Sequence, residues 1–112
     1  MKLIMAVIDP PKFEGVRKAL SEFGIKGLMV SEVMGHGRQV GHTEIYRGAE
    51  YEVNFISKVK LEIVVPEEVA EQVVAIIGEA ARSDRIGAGK VFVFDVSDAV
   101  RVRTGETGHD AL

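Results

Sequence analysis

The segment "KVKLEIVV", residues 58–65, alternates between apolar side chains and a second set that is mostly charged. Successive side chains of a β-strand point to opposite faces of a sheet, so a period of two predicts a strand with one buried face. The buried set would be Val59, Leu61, Ile63 and Val65, and the set on the other face Lys60, Glu62 and Val64. The pattern therefore predicts one strand of a half-covered sheet.

Three further segments predict strands: "KLIMAVI" (2–8), "GLMVSEVM" (27–34) and "KVFVFDV" (90–96). The first is almost continuously apolar and is bounded by Asp9 and two prolines, which is typical of a strand buried on both faces. The third is rich in aromatic and β-branched residues, which favour strands.

Two segments predict helices. Residues 11–23 repeat apolar side chains at helical spacing before a glycine, with Asp9 or Pro10 as the cap and opener. Residues 67–82 carry an apolar stripe on one helical face, with glutamates in the first turn and Arg82 in the last, as the helix dipole favours.

The resulting order, β-α-β-β-α-β, predicts an α+β, ferredoxin-like fold with both helices on one face of an antiparallel sheet. The other face would leave apolar residues such as Val64 in water, so we expect copies of the chain to cover it in a homo-oligomer. A chain of 112 residues that is 46% hydrophobic fits one domain with one core.

The composition excludes several functions. The chain has no cysteine, hence no disulfide, thiolate metal site or cysteine nucleophile. A net charge of -3 argues against a nucleic-acid partner. The sequence shows no apolar run near 18 residues and no signal-peptide cleavage pattern, so we expect a cytoplasmic protein.

The segment "GHGRQVGHTEIYRGAEY", residues 35–51, contains three early glycines and shows no sustained period of 2 or 3.6. It is therefore predicted to be a long loop, belonging to neither a helix nor a strand, and loops of this length are usually functional or disordered. Its start offers backbone freedom, a cation and an amide as a candidate anion site, in Gly35, Gly37, Arg38 and Gln39. The alternative is a flexible turn.

A metal site is the weaker hypothesis for this loop. His36 and His42 could ligate a metal, with Met29 and Met34 as soft ligands. Loop histidines without nearby carboxylates are more often solvated, and methionines in strands usually fill space.

A second candidate site is "SDRIGAGKVFVF", residues 83–94. Gly87 and Gly89 allow backbone amides to approach a ligand closely, and Lys90 adds a positive charge, as a phosphate cradle requires. The alternative is a turn that only stops a helix, because the spacing is not that of a Walker loop.

A third candidate is "VRVRTGE", residues 100–106. In an extended segment, Arg101 and Arg103 would share one face and Val100 and Val102 the other. Two guanidinium groups on one face suit recognition of phosphate oxygens. The alternative is a solvated edge strand that its charges protect from aggregation.

The segment "YRGAEY", residues 46–51, resembles the first signature of the PII nitrogen-regulatory signal-transduction family. "GRQVGHTEIYRGAEY", "KVKLEIVV", "IGAGKVFVFDV" and "RVRTGE" also align with that family in order and spacing. The resemblance implies a homotrimer of single-domain subunits that binds ATP or ADP in three clefts between neighbouring subunits. It also implies a T-loop at about 36–55, a nucleotide-binding B-loop at about 82–90 and a C-terminal segment at about 97–112.

The resemblance further implies the ligand contacts. Phosphates would be held by Gly87, Gly89 and Lys90 of one subunit and by Arg101 and Arg103 of the next. The full expected nucleotide set is Met29, Gly35, Gly37, Arg38, Gln39, Val64, Ile86, Gly87, Ala88, Gly89, Lys90, Arg101 and Arg103. The expected 2-oxoglutarate set is Gln39, Val40, Gly41 and Lys58, with Mg²⁺ held by Gln39 through the nucleotide and 2-oxoglutarate.

By the same resemblance, the T-loop is an effector arm whose shape reports the bound ligands. Arg47 resembles the residue that plugs an ammonium channel, and Tyr51 the residue that some bacterial relatives modify with a nucleotide. The implied targets are an ammonium transporter or an enzyme of nitrogen metabolism, with membrane contact only through the transporter.

The chain departs from the usual family pattern in several places. Met29 stands where many relatives have a nucleotide-contacting threonine, and Ala88, Met34, His36 and Val40 are also atypical. One alternative is therefore a divergent PII-like sensor of adenine nucleotides and another small anion or a metal. Another is a slow nucleotide hydrolase, but the sequence contains no evident water-activating base, so we expect a non-enzymatic protein.

Overall fold

The computed structural model describes residues 1–36, 42–46, 49–53 and 55–112, with the backbone alone described for 42–46 and 49–53. These residues form six strands and two α-helices, in the order β1 (Lys2–Ile8), α1 (Phe13–Phe23), β2 (Met29–Gly35), β3 (His42–Tyr46), β4 (Ala49–Val53), β5 (Ile56–Val65), α2 (Glu67–Ala80) and β6 (Gly89–Asp95). Short 3₁₀ helices occupy Pro10–Lys12 and Gly108–Ala111.

The main sheet contains four antiparallel strands in the order β2-β5-β1-β6. Ile4 of β1 lies opposite Ile63 of β5 and Val93 of β6. Both helices contribute to the same core as one face of this sheet. The fully buried side chains with the largest volumes are Ile4, Ile8, Leu20, Leu61, Ile77, Val16, Val65 and Val73. The predicted ferredoxin-like arrangement is confirmed.

Both helix boundaries differ slightly from the predicted ones. The chain turns through the 3₁₀ helix Pro10–Lys12 before α1 begins at Phe13. Asp9 precedes that turn but makes no side-chain capping hydrogen bond, so its predicted role as a cap is wrong. Helix α2 ends at Ala80, which leaves Arg82 outside the helix rather than in its last turn.

The prediction that residues 35–51 contain no strand is wrong. Strand β2 extends to Gly35, and β3 and β4 pair antiparallel, with His42 opposite Val53 and Tyr46 opposite Ala49. These two strands form a sheet of their own. Pairing of this kind depends on the register between two segments, and each strand here is short and flanked by glycines. Periodicity along a single segment therefore did not predict it.

The face of the main sheet opposite the helices carries an apolar patch that is open within one subunit. Met29, Val64, Phe92 and Phe94 are exposed there, around the half-buried Leu3 and Met5. This set of six side chains is called the open face below. Its exposure agrees with the prediction that Val64 would lie in water within a single subunit. In the described part of the chain, no helix has the length and apolar character needed to cross a membrane.

Candidate functional site

A buried ionic cluster lies where β1 ends and β5 begins. Antiparallel pairing of Ile8 with Val59 places Asp9, the next residue after β1, beside Lys58. The Lys58 ammonium donates a hydrogen bond to Asp9 Oδ1 at 2.5 Å and another to the backbone oxygen of Gly87. The Arg85 guanidinium donates to Asp9 Oδ2 at 2.7 Å. Lys58, Asp9 and Arg85 are called the ionic cluster below.

The cluster is buried at its centre and open at one edge. Asp9 and Lys58 are only 7% and 4% exposed, whereas the Arg85 side chain is 68% exposed. Burial acts to raise the pKa of Asp9, but hydrogen bonding and charge from Lys58, and then from Arg85, outweigh it, so the pKa lies below its ordinary value. Asp9 is therefore ionised at neutral pH, and the cluster carries one net positive charge.

The turn between α2 and β6 brings the predicted phosphate cradle to this cluster. The backbone oxygen of Gly87 accepts from Lys58, and Gly87 and Gly89 both have positive φ, at 84° and 137°. A Cβ on Gly89 would lie 2.2 Å from the backbone oxygen of Val7. Gly89 is thus required by the close approach of β1, whatever ligand binds nearby. Lys90, which follows it, is exposed.

Three cavities surround the cluster and the turn. A cavity of about 410 Å³ is lined by Asp9, Arg85 and Ser57, among others. A second, of about 480 Å³, is lined by Lys58 together with Met34 and Ser57. A third, of about 230 Å³, is lined by Ala88, Gly89 and Lys90. Residues of the ionic cluster therefore line two of these cavities, and residues of the turn line the third.

Among the other predicted nucleotide residues, Val64 and Met29 lie far from this end of the sheet, whereas Gly35 and Ile86 lie at it. Val64 is six residues along β5 from Lys58, which separates them by roughly 20 Å at the usual rise of a strand. Met29 lies opposite Glu62, also on the open face. Gly35 is the last residue of β2, opposite Ile56, and Ile86 is exposed in the turn. One subunit thus presents two separate groups of predicted contacts.

The predicted extended segment around Arg101 and Arg103 is wrong. Residues 102–104 form a turn, closed by a hydrogen bond of 2.7 Å from the Gly105 N–H to the Arg101 carbonyl. Gly105 has a positive φ of 76°, which favours this reversal. The Arg101 guanidinium donates to Glu106 Oε1 at 2.6 Å and to the Leu112 carbonyl at 3.0 Å. The segment therefore forms a turn instead of the extended strand that the alternation of Val and Arg predicted.

Several predicted site residues lie outside the described residues, namely Gly37, Arg38, Gln39, Val40, Gly41 and Arg47. Tyr51 lies in β4, where its backbone is opposite Glu44. The His36 ring lies beside the Phe55 ring, with 5.7 Å between the centroids. Within the described ranges, no three His, Cys, Asp or Glu side chains gather as a metal site would require.

Asp9 and Arg85 were missed in the sequence. Asp9 was interpreted as a helix cap, although a register between residues 2–8 and 58–65 would have placed it beside Lys58. Their shared role depends on contacts 49 and 76 residues apart in the chain, which no local pattern encodes.

The family described as Nitrogen regulatory protein P-II matches residues 1–106. The chain belongs to the P-II family. It is 54% identical over 112 residues, covering all of both chains, to the proteins named Nitrogen regulatory protein P-II of Haemophilus influenzae and Rhizobium meliloti. It is equally similar to Nitrogen regulatory protein P-II 1 of Escherichia coli (strain K12), again over the full length of both chains.

Membership of the P-II family confirms the resemblance found in the sequence motifs, and the fold agrees with it. The relatives are named as regulatory proteins, which places this chain in a family concerned with nitrogen regulation.

Proposed function

We propose that this chain is a non-enzymatic regulator that binds ATP or ADP in clefts between the subunits of a homotrimer and senses 2-oxoglutarate together with Mg²⁺. The observation that carries the proposal is the meeting of the glycine turn, Lys90 and the buried Lys58 at one end of the sheet. This meeting supports the proposal, because a glycine turn beside lysine side chains suits the binding of a phosphate.

The open face supports the homotrimer. Its aromatic and aliphatic side chains form an apolar surface opposite the helices, and burial of such a surface favours association. A cyclic assembly would cover the open face and bring residues of one subunit to the turn of the next. Arg101 and Arg103 would then reach the phosphates from a neighbouring subunit, as the family resemblance implies.

Phosphate binding at the turn has a physical basis in the described residues. Positive φ at Gly87 and Gly89 gives the backbone a path on which amide groups can face an anion. The exposed Lys90 would add charge at the cradle, and Val64 would lie beside the adenine. Mg²⁺ would accompany the nucleotide, with Gln39 as its protein ligand.

The output of the sensor would be the T-loop, within which β3 and β4 pair. Ligands that bind one T-loop conformation better than another shift its population and thus the surface offered to a target. The target would be an ammonium transporter or an enzyme of nitrogen metabolism in the cytoplasm, contacted through Arg47 and regulated by modification of Tyr51.

Calorimetric titration of ATP and ADP with Mg²⁺ tests the proposal, using the parent chain, Lys90→Ala and the control Lys26→Ala. Lys26 is exposed between α1 and β2, away from the turn. We expect Lys90→Ala to weaken ATP binding about tenfold, since charge-assisted contacts to phosphate are strong, and Lys26→Ala to leave it unchanged. Absence of nucleotide binding by the parent chain, or a monomeric mass in sedimentation, would contradict the proposal.

A further inference from the structure

Lys58, which the family resemblance implies as a 2-oxoglutarate contact, already pairs with a carboxylate of the protein itself. Lys58 Nζ lies 2.5 Å from Asp9 Oδ1, with both side chains almost fully buried. Two of the three ammonium N–H groups are thus engaged, one by Asp9 and one by the Gly87 carbonyl. An incoming carboxylate meets a lysine that has its counter-ion in place.

We infer that Asp9 is an internal competitor for the anion position on Lys58, and that it sets how tightly this site binds a dicarboxylate. The inference rests on the proposed function, because it concerns the same 2-oxoglutarate site. It assigns to Asp9 the role of a specificity-determining residue and to Arg85 that of a positioning residue.

A ligand carboxylate can reach Lys58 in two ways, and in each of them Asp9 lowers the affinity. The ligand could displace Asp9 from Lys58, which would break a buried, charge-assisted hydrogen bond. It could instead take the remaining N–H of Lys58 and lie next to the Asp9 carboxylate, where two like charges repel in a poorly solvated site. The pKa of Asp9, held down by Lys58 and Arg85, keeps this competing charge present at neutral pH.

Arg85 gives Asp9 a second partner when a ligand arrives. Its guanidinium holds Oδ2 at 2.7 Å, and most of its side chain is exposed and able to move with the carboxylate. A displaced Asp9 can therefore stay paired with Arg85 instead of becoming an isolated buried charge, which would be costly. Without Arg85, Asp9 would have Lys58 as its remaining partner and would be harder to displace. Loss of Arg85 should therefore lower the affinity for the dicarboxylate.

A purely structural role for Asp9 makes a different prediction. If Asp9 only kept Lys58 in place, loss of the carboxylate would misplace the ammonium group and weaken dicarboxylate binding. If Asp9 competes, loss of its charge strengthens binding. The two substitutions Asp9→Asn and Arg85→Gln then shift the affinity in opposite directions, which a general loss of order would not do.

The experiment is calorimetric titration of 2-oxoglutarate into protein saturated with ATP and Mg²⁺. Four chains are compared: the parent, Asp9→Asn, Arg85→Gln and the control Asp84→Asn, which removes an exposed carboxylate from the same turn. We expect Asp9→Asn to bind about tenfold tighter or more, because like charges placed side by side strongly oppose binding. We expect Arg85→Gln to bind about threefold weaker, as for a largely exposed pair, and Asp84→Asn to change little.

The ATP titration of each chain separates failure of the inference from failure of the proposed function. If the parent does not bind ATP, the proposed function fails. If ATP binds normally but Asp9→Asn binds 2-oxoglutarate equally or more weakly, or no chain binds it, the inference is overturned. Should Asp9→Asn fail to fold, Arg85→Gln decides, since equal or tighter binding by that variant also overturns it.

Discussion

Two lysine–aspartate pairs lie at opposite ends of β1, and their surroundings give them different roles. Lys2 pairs with Asp95 of β6 at one end, where the aspartate side chain is 86% exposed. Asp9 pairs with Lys58 of β5 at the other, where both side chains are almost fully buried. The chemistry is the same, but water screens the first pair and not the second. We therefore expect the buried pair to contribute more to stability than the exposed one.

Removal of Lys58 should give the largest effect. Lys58→Met keeps the length of the side chain but leaves Asp9 buried with Arg85 as its remaining partner, so we expect a loss of about 3 kcal/mol in the free energy of unfolding. Urea unfolding at one fixed protein concentration measures it. Lys60→Met is the control, because Lys60 is half-buried and lies 3.7 Å from Glu62. Equal losses in both variants would remove the distinction between buried and partly exposed pairs.

Gly89 tests the backbone at the same end of β1. In Gly89→Ala the new Cβ would meet the Val7 carbonyl at 2.2 Å and occupy a φ of 137°, so we expect a loss of about 2 to 3 kcal/mol. Gly105→Ala is the matched control, since Gly105 also has positive φ but its Cβ would meet open space. Thermal unfolding should show a clearly smaller loss for Gly105→Ala. Equal losses of stability in Gly89→Ala and Gly105→Ala would mean that positive φ alone accounts for the effect and that the contact with β1 adds nothing.

The pH dependence of stability should distinguish the buried pair from the exposed one. The pKa of Asp9 is lower in the folded state, so its contribution is complete above the ordinary pKa and disappears as the pH falls through the folded value. We expect Asp9→Asn to cost about 2 kcal/mol at pH 7. The difference from the parent should shrink below about pH 4. Urea unfolding between pH 3 and pH 7 checks this; a constant difference would contradict it.

The exposed pair should give the smallest effect. Hydrogen bonding and charge from Lys2 lower the pKa of Asp95, but the Asp95 side chain is largely exposed and that of Lys2 is partly exposed. We expect Asp95→Asn to destabilise the protein less than Asp9→Asn does, and the loss to vanish in 1 M NaCl, where charges are screened. The loss caused by Asp9→Asn should persist in the same salt. Equal salt sensitivity in the two variants would mean that burial does not separate the pairs.

Hydrophobic pattern and residue type were sufficient to predict the four strands of the main sheet and the two helices. Alternation in residues 58–65 predicted the four apolar side chains of β5 that are buried, because burial on one face acts on each residue separately, but it did not predict the burial of Lys58. The helix at Glu67–Ala80 followed from its apolar stripe for the same reason. Pairing of β3 with β4 was missed, since it depends on register between two short strands flanked by glycines.

In the candidate site, too, local features were predicted from the sequence and contacts between distant segments were not. Gly87, Gly89 and Lys90 were found from residue type and spacing, because a positive φ and an adjacent charge are local properties. Arg101 was misplaced because alternation in a short segment does not exclude a turn, and Gly105 closes one here. Nucleotide binding by Gly87, Gly89, Lys90 and Arg101 stays a prediction.

The sequence by itself determined the family, through motifs in order along the chain, and also the main elements, the buried apolar face of β5 and the glycine turn, since each of these depends on residues close together in the chain. Only the tertiary structure decided that Asp9 pairs with Lys58 and Arg85 rather than capping a helix. That choice depends on strand register and on the α2–β6 turn, which bring together charges 49 and 76 residues apart around a buried carboxylate.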